Sequence, residues 1–311
     1  MQRRTLACPV SPLSPRAPRR RARRSSAAAL LGAALPALSM LLALLSPGSA
    51  LADPNAASSA DRAERDEGAR PPAAGTALFS AGVDLEIAGR TLSYSDLLSD
   101  NLRTYEVLGV PMPSLRGELY PFARSGVPVL RDLGVELSYA RALGLDSEGA
   151  GGASVSTSWS RLHAGLRGRY RLAGQDGPVL FAGGGLRWTD FDIESTGDPS
   201  RDAASVSYVA LRVGVDGRLP VGPVALEAGG GVQAPLSMGT LASHFRAPSA
   251  GGVDFRVAVA APFAPGLEAR AGASYARFFY DFDSEPEDTY IAGGALDQLF
   301  SVHLGVAYHG E

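Results

Sequence analysis

From Thr76 onward, apolar and polar residues alternate with a period of two, and no 3.6-residue period is sustained. In 204–219, Val209, Leu211, Val213, Val215 and Leu219 share one parity, while Arg212, Asp216 and Arg218 take the other. In 160–172, Leu162, Ala164, Leu166, Tyr170 and Leu172 oppose Arg161, His163, Arg167, Arg169 and Arg171. Near the end, Phe300, Val302, Leu304, Val306 and Tyr308 oppose Ser301, His303 and Gly305. Successive side chains of a strand point to opposite faces, so each segment reads as a strand with one apolar and one polar face.

Ten such segments are predicted, near 77–92, 112–122, 129–143, 154–172, 178–190, 205–219, 223–236, 253–263, 267–280 and 298–309. Their connections alternate in length. Long polar loops fall at 93–111, 144–153, 191–204, 237–252 and 281–297; between them come the short turns ARSGVP, AGQDG, PVG and APG. An even strand number with long loops on one rim and short turns on the other predicts an all-β fold, a transmembrane antiparallel up-and-down β-barrel of about ten strands, with eight or twelve as the neighbouring solutions.

The glycine triplets in GPVLFAGGG (177–185) and GPVALEAGGG (222–231) fit this frame. A phosphate-cradling loop passes from a strand into a helix, whereas both triplets run on into more strand. Their 45-residue interval is one hairpin plus its long loop, and glycine inside a strand marks a bend or a close backbone approach.

Alternation alone leaves two barrels open: a soluble exported ligand-binding barrel with the apolar face inward, or a membrane barrel with that face toward lipid. Aromatic placement favours lipid. On the apolar parity, Tyr139, Trp188, Phe255, Tyr275 and Phe300 lie toward the long-loop ends, and Phe79, Tyr170, Phe263 and Tyr308 toward the short-turn ends. The eight residues from Phe255 to Phe263 rise roughly 20 Å at a tilt of ~40°, about the height between aromatic girdles. The polar parity carries arginines 116, 161, 167, 169, 171, 187, 212, 218, 256 and 270 with acids 84, 86, 118, 132, 136, 216, 227, 254 and 268. That near-balance suits a lumen whose buried charges are paired. Asp216 and Glu227 are expected among the partners of Arg167, Arg169 and Arg212. Finally, His303-Leu-Gly305-Val-Ala-Tyr308 resembles the polar-x-Gly-x-x-aromatic signal of bacterial outer-membrane β-barrel proteins, departing only in ending on His-Gly-Glu. Region 76–311 as a whole resembles that family, and the resemblance implies contact with outer-membrane lipid and lipopolysaccharide, and recognition by the barrel assembly machinery through the C-terminal strand.

The N-terminus adds an address. Residues 1–24 carry eight of the 29 basic residues; an Ala- and Leu-rich stretch from Ala27 to Leu45 follows, then Ala50-Leu51-Ala52 before Asp53. This describes a secretory signal peptide over 1–52, read by the general export route. Residues 53–75 are charged and poor in apolar groups, a disordered periplasmic linker. Beyond the leader, 21 basic residues face 32 acidic ones, a balance of −11 with no basic footprint for nucleic acid. The expected location is integral to the cell outer membrane, with both termini periplasmic. The one cysteine, Cys8, lies in the leader, so no disulfide is expected.

Candidate chemistry is sparse. Ten-strand barrels resemble the omptin surface proteases, whose site combines acidic pairs with an Asp-x-His pair at the outer rim. Asp190-Phe-Asp192 and His244 are the nearest counterparts, but no Asp-x-His occurs. Ser243-His244 lacks the G-x-S-x-G setting of a serine hydrolase, and four scattered histidines give no metal spacing. The acidic run 281–290 reads as a solvated loop, since it lacks the Gly-containing calcium-loop pattern. The sequence therefore predicts no enzyme, no cofactor and no metal. It points to a structural, surface-recognition or narrow porin-like role, with small ions as the lumen's expected ligands.

Overall fold

A computed structural model describes residues 75–99, 102–148, 154–172, 177–194, 205–245 and 248–310. The expected leader and linker, apart from Gly75, lie outside the described residues. Ten long strands form a ring: β1 (Phe79–Ser95), β2 (Tyr105–Leu119), β3 (Leu133–Arg141), β5 (Ser154–Arg171), β6 (Val179–Ile193), β7 (Val206–Val221), β8 (Val224–Ser237), β9 (Ser249–Ala264), β10 (Leu267–Asp281) and β11 (Gly294–Gly310). A short β4 (Asp146–Glu148) pairs beside β5. Each long strand pairs antiparallel with its sequence neighbour, and β11 returns to β1 in unbroken register from Phe79↔Gly310 to Ser95↔Gly294. Closure gives every long strand a partner on both sides, which hydrocarbon demands of a spanning sheet. No helix of the described residues is long and apolar enough to cross a membrane.

All ten expected strands form, with shifted ends. The segment expected from 129 starts at Leu133, because Pro128–Arg131 is a single helical turn, α1, with Pro in its first turn. The expected loop 93–111 is mostly strand. A bulge displaces the β1–β2 register between Ala88 and Arg90, opposite Gly109, whose φ of 77 suits glycine. It flips the parity of β2, so that Tyr105 and Val107 join Val110 and Met112 against the interior. The short turns are tight at Gly222 (φ 60) and Gly266 (φ 70).

The barrel has two storeys of opposite polarity. In the short-turn storey the outside is apolar. Val83, Leu85, Ile87, Leu166, Val213, Val215, Val257, Val302 and Leu304 are exposed there, and Tyr170 and Phe263 are 67% and 60% exposed near the turns. In the long-loop storey the outside turns polar and the inside apolar. Asp190 and Asp192 face outward opposite Ser160 and Ser158, and between them Thr189 and Phe191 are buried. Both side-chain polarities that the alternation left open are thus present, one above the other. The polarity changes near Tyr139, Leu162 and Trp188, where the aromatic girdle was expected.

Val213, 55% exposed at mid-strand in the apolar storey, tests this orientation. Val213→Arg is expected to cost about 2–4 kcal/mol or to block insertion, whereas Val213→Ala should insert normally. Heat-modifiable mobility on gels reads both. Normal folding of Val213→Arg would reverse the assignment of the lipid face.

Candidate functional site in the barrel lumen

The lumen exists because glycine clears it. A Cβ on Gly185 would lie 2.3 Å from the Ala164 carbonyl oxygen and 2.5 Å from Gly165 Cα, so β5 and β6 approach as closely as they do only with glycine on both. A Cβ on Gly229 would strike the Asp216 carboxylate, and Gly214 and Gly231 both abut the Arg212 guanidinium. The triplets are architectural, as their strand context predicted. They make room for charged side chains that cross the bore.

Those charges pair as the near-balance predicted. Arg116 donates to Asp84 at 2.9 Å, Arg161 to Glu86, Arg167 to Glu118, and Arg256 to Asp216 at 2.7 Å. Arg212 grips Asp254 with three hydrogen bonds of 2.7–3.0 Å, helped by Gln233 at 3.0 Å. Arg218 bridges Glu227 (2.7 Å) and Glu268 (2.6 Å), while Arg270 also binds Glu227. At the short-turn end Arg169 and Arg171 share Asp132, and Arg169 donates to the Ala77 carbonyl at 2.8 Å. Phe181 and Tyr120 cover the guanidiniums of Arg167 and Arg169, each 3.9 Å from the ring centroid. All nine acids expected in the lumen have an arginine partner. One expected pairing is corrected: Glu227 is held by Arg218 and Arg270, not by Arg167, Arg169 or Arg212. Asp216 does lie within 3.8 Å of Arg167. Within this network is a cavity of about 240 Å³.

Above the network an apolar seal fills the bore. Leu92, Met112, Trp159, Phe191, Val206, Tyr208, Phe278 and Leu299 are buried together. Phe245 and Phe282 stack above them at 3.7 Å. A second helical turn, α2 (Thr240–His244), contributes Leu241 to the same cluster. Inside this seal lies a fully buried ion pair. Arg90 binds both oxygens of Asp297 at 2.9 and 3.0 Å, Tyr208 donates to the same carboxylate at 2.5 Å, and the guanidinium lies 4.3 Å from the Phe191 centroid. Sequence reasoning missed this pair. Its two members sit 207 residues apart, and Asp297 lies at the edge of a segment expected to be loop.

The counterparts of a protease site do not assemble. Asp190 and Asp192 face outward from β6, whereas His244 packs against Tyr290 in a tilted pair, ring centroids 4.6 Å apart, beside the seal. Burial holds the His244 imidazole below its usual pKa. His163 hydrogen-bonds Glu136 at 2.7 Å in the lumen, and His309 Nε2 lies 3.0 Å from Glu268. The described residues include no group of His, Cys, Asp and Glu able to hold a metal ion.

No protein-family model matches this chain, and no curated protein is similar to it. Solved structures are similar at low identity. The outer-membrane protease OmpT of Escherichia coli shares 9% identity at a TM-score of 0.42, over 74% of this chain and 96% of its own. The translocator domain of the autotransporter NalP from Neisseria meningitidis shares 15% at 0.39, over 91% and 99%. The attachment invasion locus protein Ail of Yersinia pestis shares 10% at 0.31, over 74% and 98%. A closed ten-strand ring that shows apolar side chains to its surroundings and ion pairs to its bore has the architecture of the bacterial outer-membrane β-barrel proteins.

Proposed function

We propose that this chain is an integral outer-membrane barrel that does not conduct at rest, and that it serves a structural or surface-recognition role through its outer storey and long loops. One observation carries the reading: the bore is filled twice, by ion pairs below and by the aromatic seal above. A narrow porin-like path would have to pass both. The outer storey, polar outside and packed inside, is built to stand in water above the bilayer, and it is the surface a partner would meet. In this reading lipid and lipopolysaccharide surround the apolar storey, the C-terminal strand engages the assembly machinery, and both termini are periplasmic. Phe79 and Gly310 pair on the short-turn rim, which supports a common side for the two ends.

An omptin-type surface enzyme is the second reading. The outward-facing Asp190 and Asp192, set apart from His244, speak against it. Planar-bilayer recording of the refolded barrel is expected to be silent, with no hydrolysis of peptides by the same sample. On intact cells, added protease should cut within 195–204 or 283–293. Discrete conductance steps would replace the sealed-barrel reading with a channel, and cuts confined to the 173–177 turn would invert the topology.

A further inference from the structure

We propose that the lumen cavity binds a small oxyanion of phosphate size, with Arg187 as its recognition residue. The inference goes beyond the sealed-barrel reading and stands whether or not the barrel conducts.

The charge ledger of the bore leaves one cation over. Ten lumen arginines face nine acids, and each acid is already committed at hydrogen-bonding or ion-pair distance to another arginine. Arg187 is the residue left over. Its nearest carboxylate oxygen, on Asp254, is 3.6 Å away, too far for a hydrogen bond, and that carboxylate already takes three from Arg212. Arg187 lines the cavity with its side chain 26% exposed inside a bore sealed above. A guanidinium so placed keeps its charge and its planar donor fork and lacks a matching acceptor.

The buried polar atoms around it are donors in excess. Arg161 Nε and Arg167 Nε have no protein partner, and both residues line the same cavity. Arg167 is 8% exposed, so its Nε is spare inside the site and not at the surface. His163 stands directly across from Arg187 in the β5–β6 register. Its Nε2 is held by Glu136 at 2.7 Å. A ligand suited to these atoms offers several acceptor oxygens, carries negative charge and fits about 240 Å³. A small oxyanion meets all three conditions; a cation fails on charge, and an apolar molecule on charge and acceptors.

Isothermal titration of the refolded barrel with inorganic phosphate at fixed ionic strength, against chloride as control, tests the proposal. Saturable binding is expected, weakened about tenfold or more in Arg187→Gln by loss of a charge-assisted contact and largely retained in Arg187→Lys. Thermal unfolding without phosphate supplies the second readout. Since Arg187 is the unmatched charge, Arg187→Gln should leave the barrel as stable as wild type or more so. If wild type shows no saturable binding, or Arg187→Gln binds as wild type does, the proposal is overturned. If Arg187→Gln unfolds earlier without phosphate, Arg187 is an ordinary member of the ion-pair network and the proposal fails on that side too.

Discussion

Asp297→Ala is expected to destabilise the barrel by about 3–5 kcal/mol, among the largest single-site effects in the molecule. Among the described residues the carboxylate is the sole anion paired with Arg90, and both side chains are 0% exposed. Without it the guanidinium stays between Phe191 and Tyr105, whose ring centroids are 4.3 and 5.8 Å away, with no acceptor in place of the two lost oxygens. Tyr208 loses its acceptor as well. The double replacement Arg90→Met with Asp297→Leu removes both charges and keeps the volume, so it should recover most of the loss, as apolar substitutes for buried ion pairs often do. Urea unfolding in lipid, followed by tryptophan fluorescence, measures the series, since Trp159 packs against Phe191 in the same cluster. Asp297→Ala as stable as wild type would mean that water reaches Arg90 and that the seal is not dry.

The contrast between this pair and the lumen network shows what was legible in the sequence. Period-two alternation located ten strands, and parity located every lumen charge in the lower storey, because each strand keeps an apolar exterior at the same height, as a lipid-facing barrel requires. Arg212 and Val213 needed no partner in view to be placed on opposite faces. In the upper storey the exterior is polar and the rule inverts. Leu92, Tyr208, Phe191 and Phe278 are apolar residues turned inward, flanked by outward Ser93, Ser207, Asp190 and Arg277. By the lower storey's rule these strand ends look like polar loops, so the expected loops 93–111, 191–204 and 281–297 take in residues that are strand. The bulge at Gly109 hid the start of β2 for a related reason, since an extra residue shifts the parity that the pattern depends on. Pairings such as Arg90 with Asp297, or Arg218 with Glu268, depend on which strands close the ring and on how far side chains reach across it, and neither is written in local spacing.

Separating the two storeys changes what loosening the lumen should do. Replacing Arg167, Arg169 and Arg212 together with Ser takes away the arginine that Glu118 binds. It leaves Asp254 to Gln233 and Arg187, and strips Asp132 of one of its cations. Glu136 keeps His163, and Asp216 keeps Arg256. The Glu118 term is expected to cost about 3 kcal/mol, the lower end for a broken buried pair, because that side chain is 29% exposed. The triple variant should therefore melt earlier, yet stay electrically silent, since Trp159, Phe191, Tyr208 and Phe278 still close the bore above. Conductance is expected only when the seal is trimmed as well, for instance with Trp159→Ser and Phe191→Ser in the same chain. The open bore would then carry more acids than arginines and favour cations. Bilayer recording of the triple and the five-site variants, with reversal potentials in a salt gradient, separates the two layers. If the triple variant alone gives steps, the ion-paired network is the barrier, and the aromatic cluster above it is packing for the outer storey and no seal.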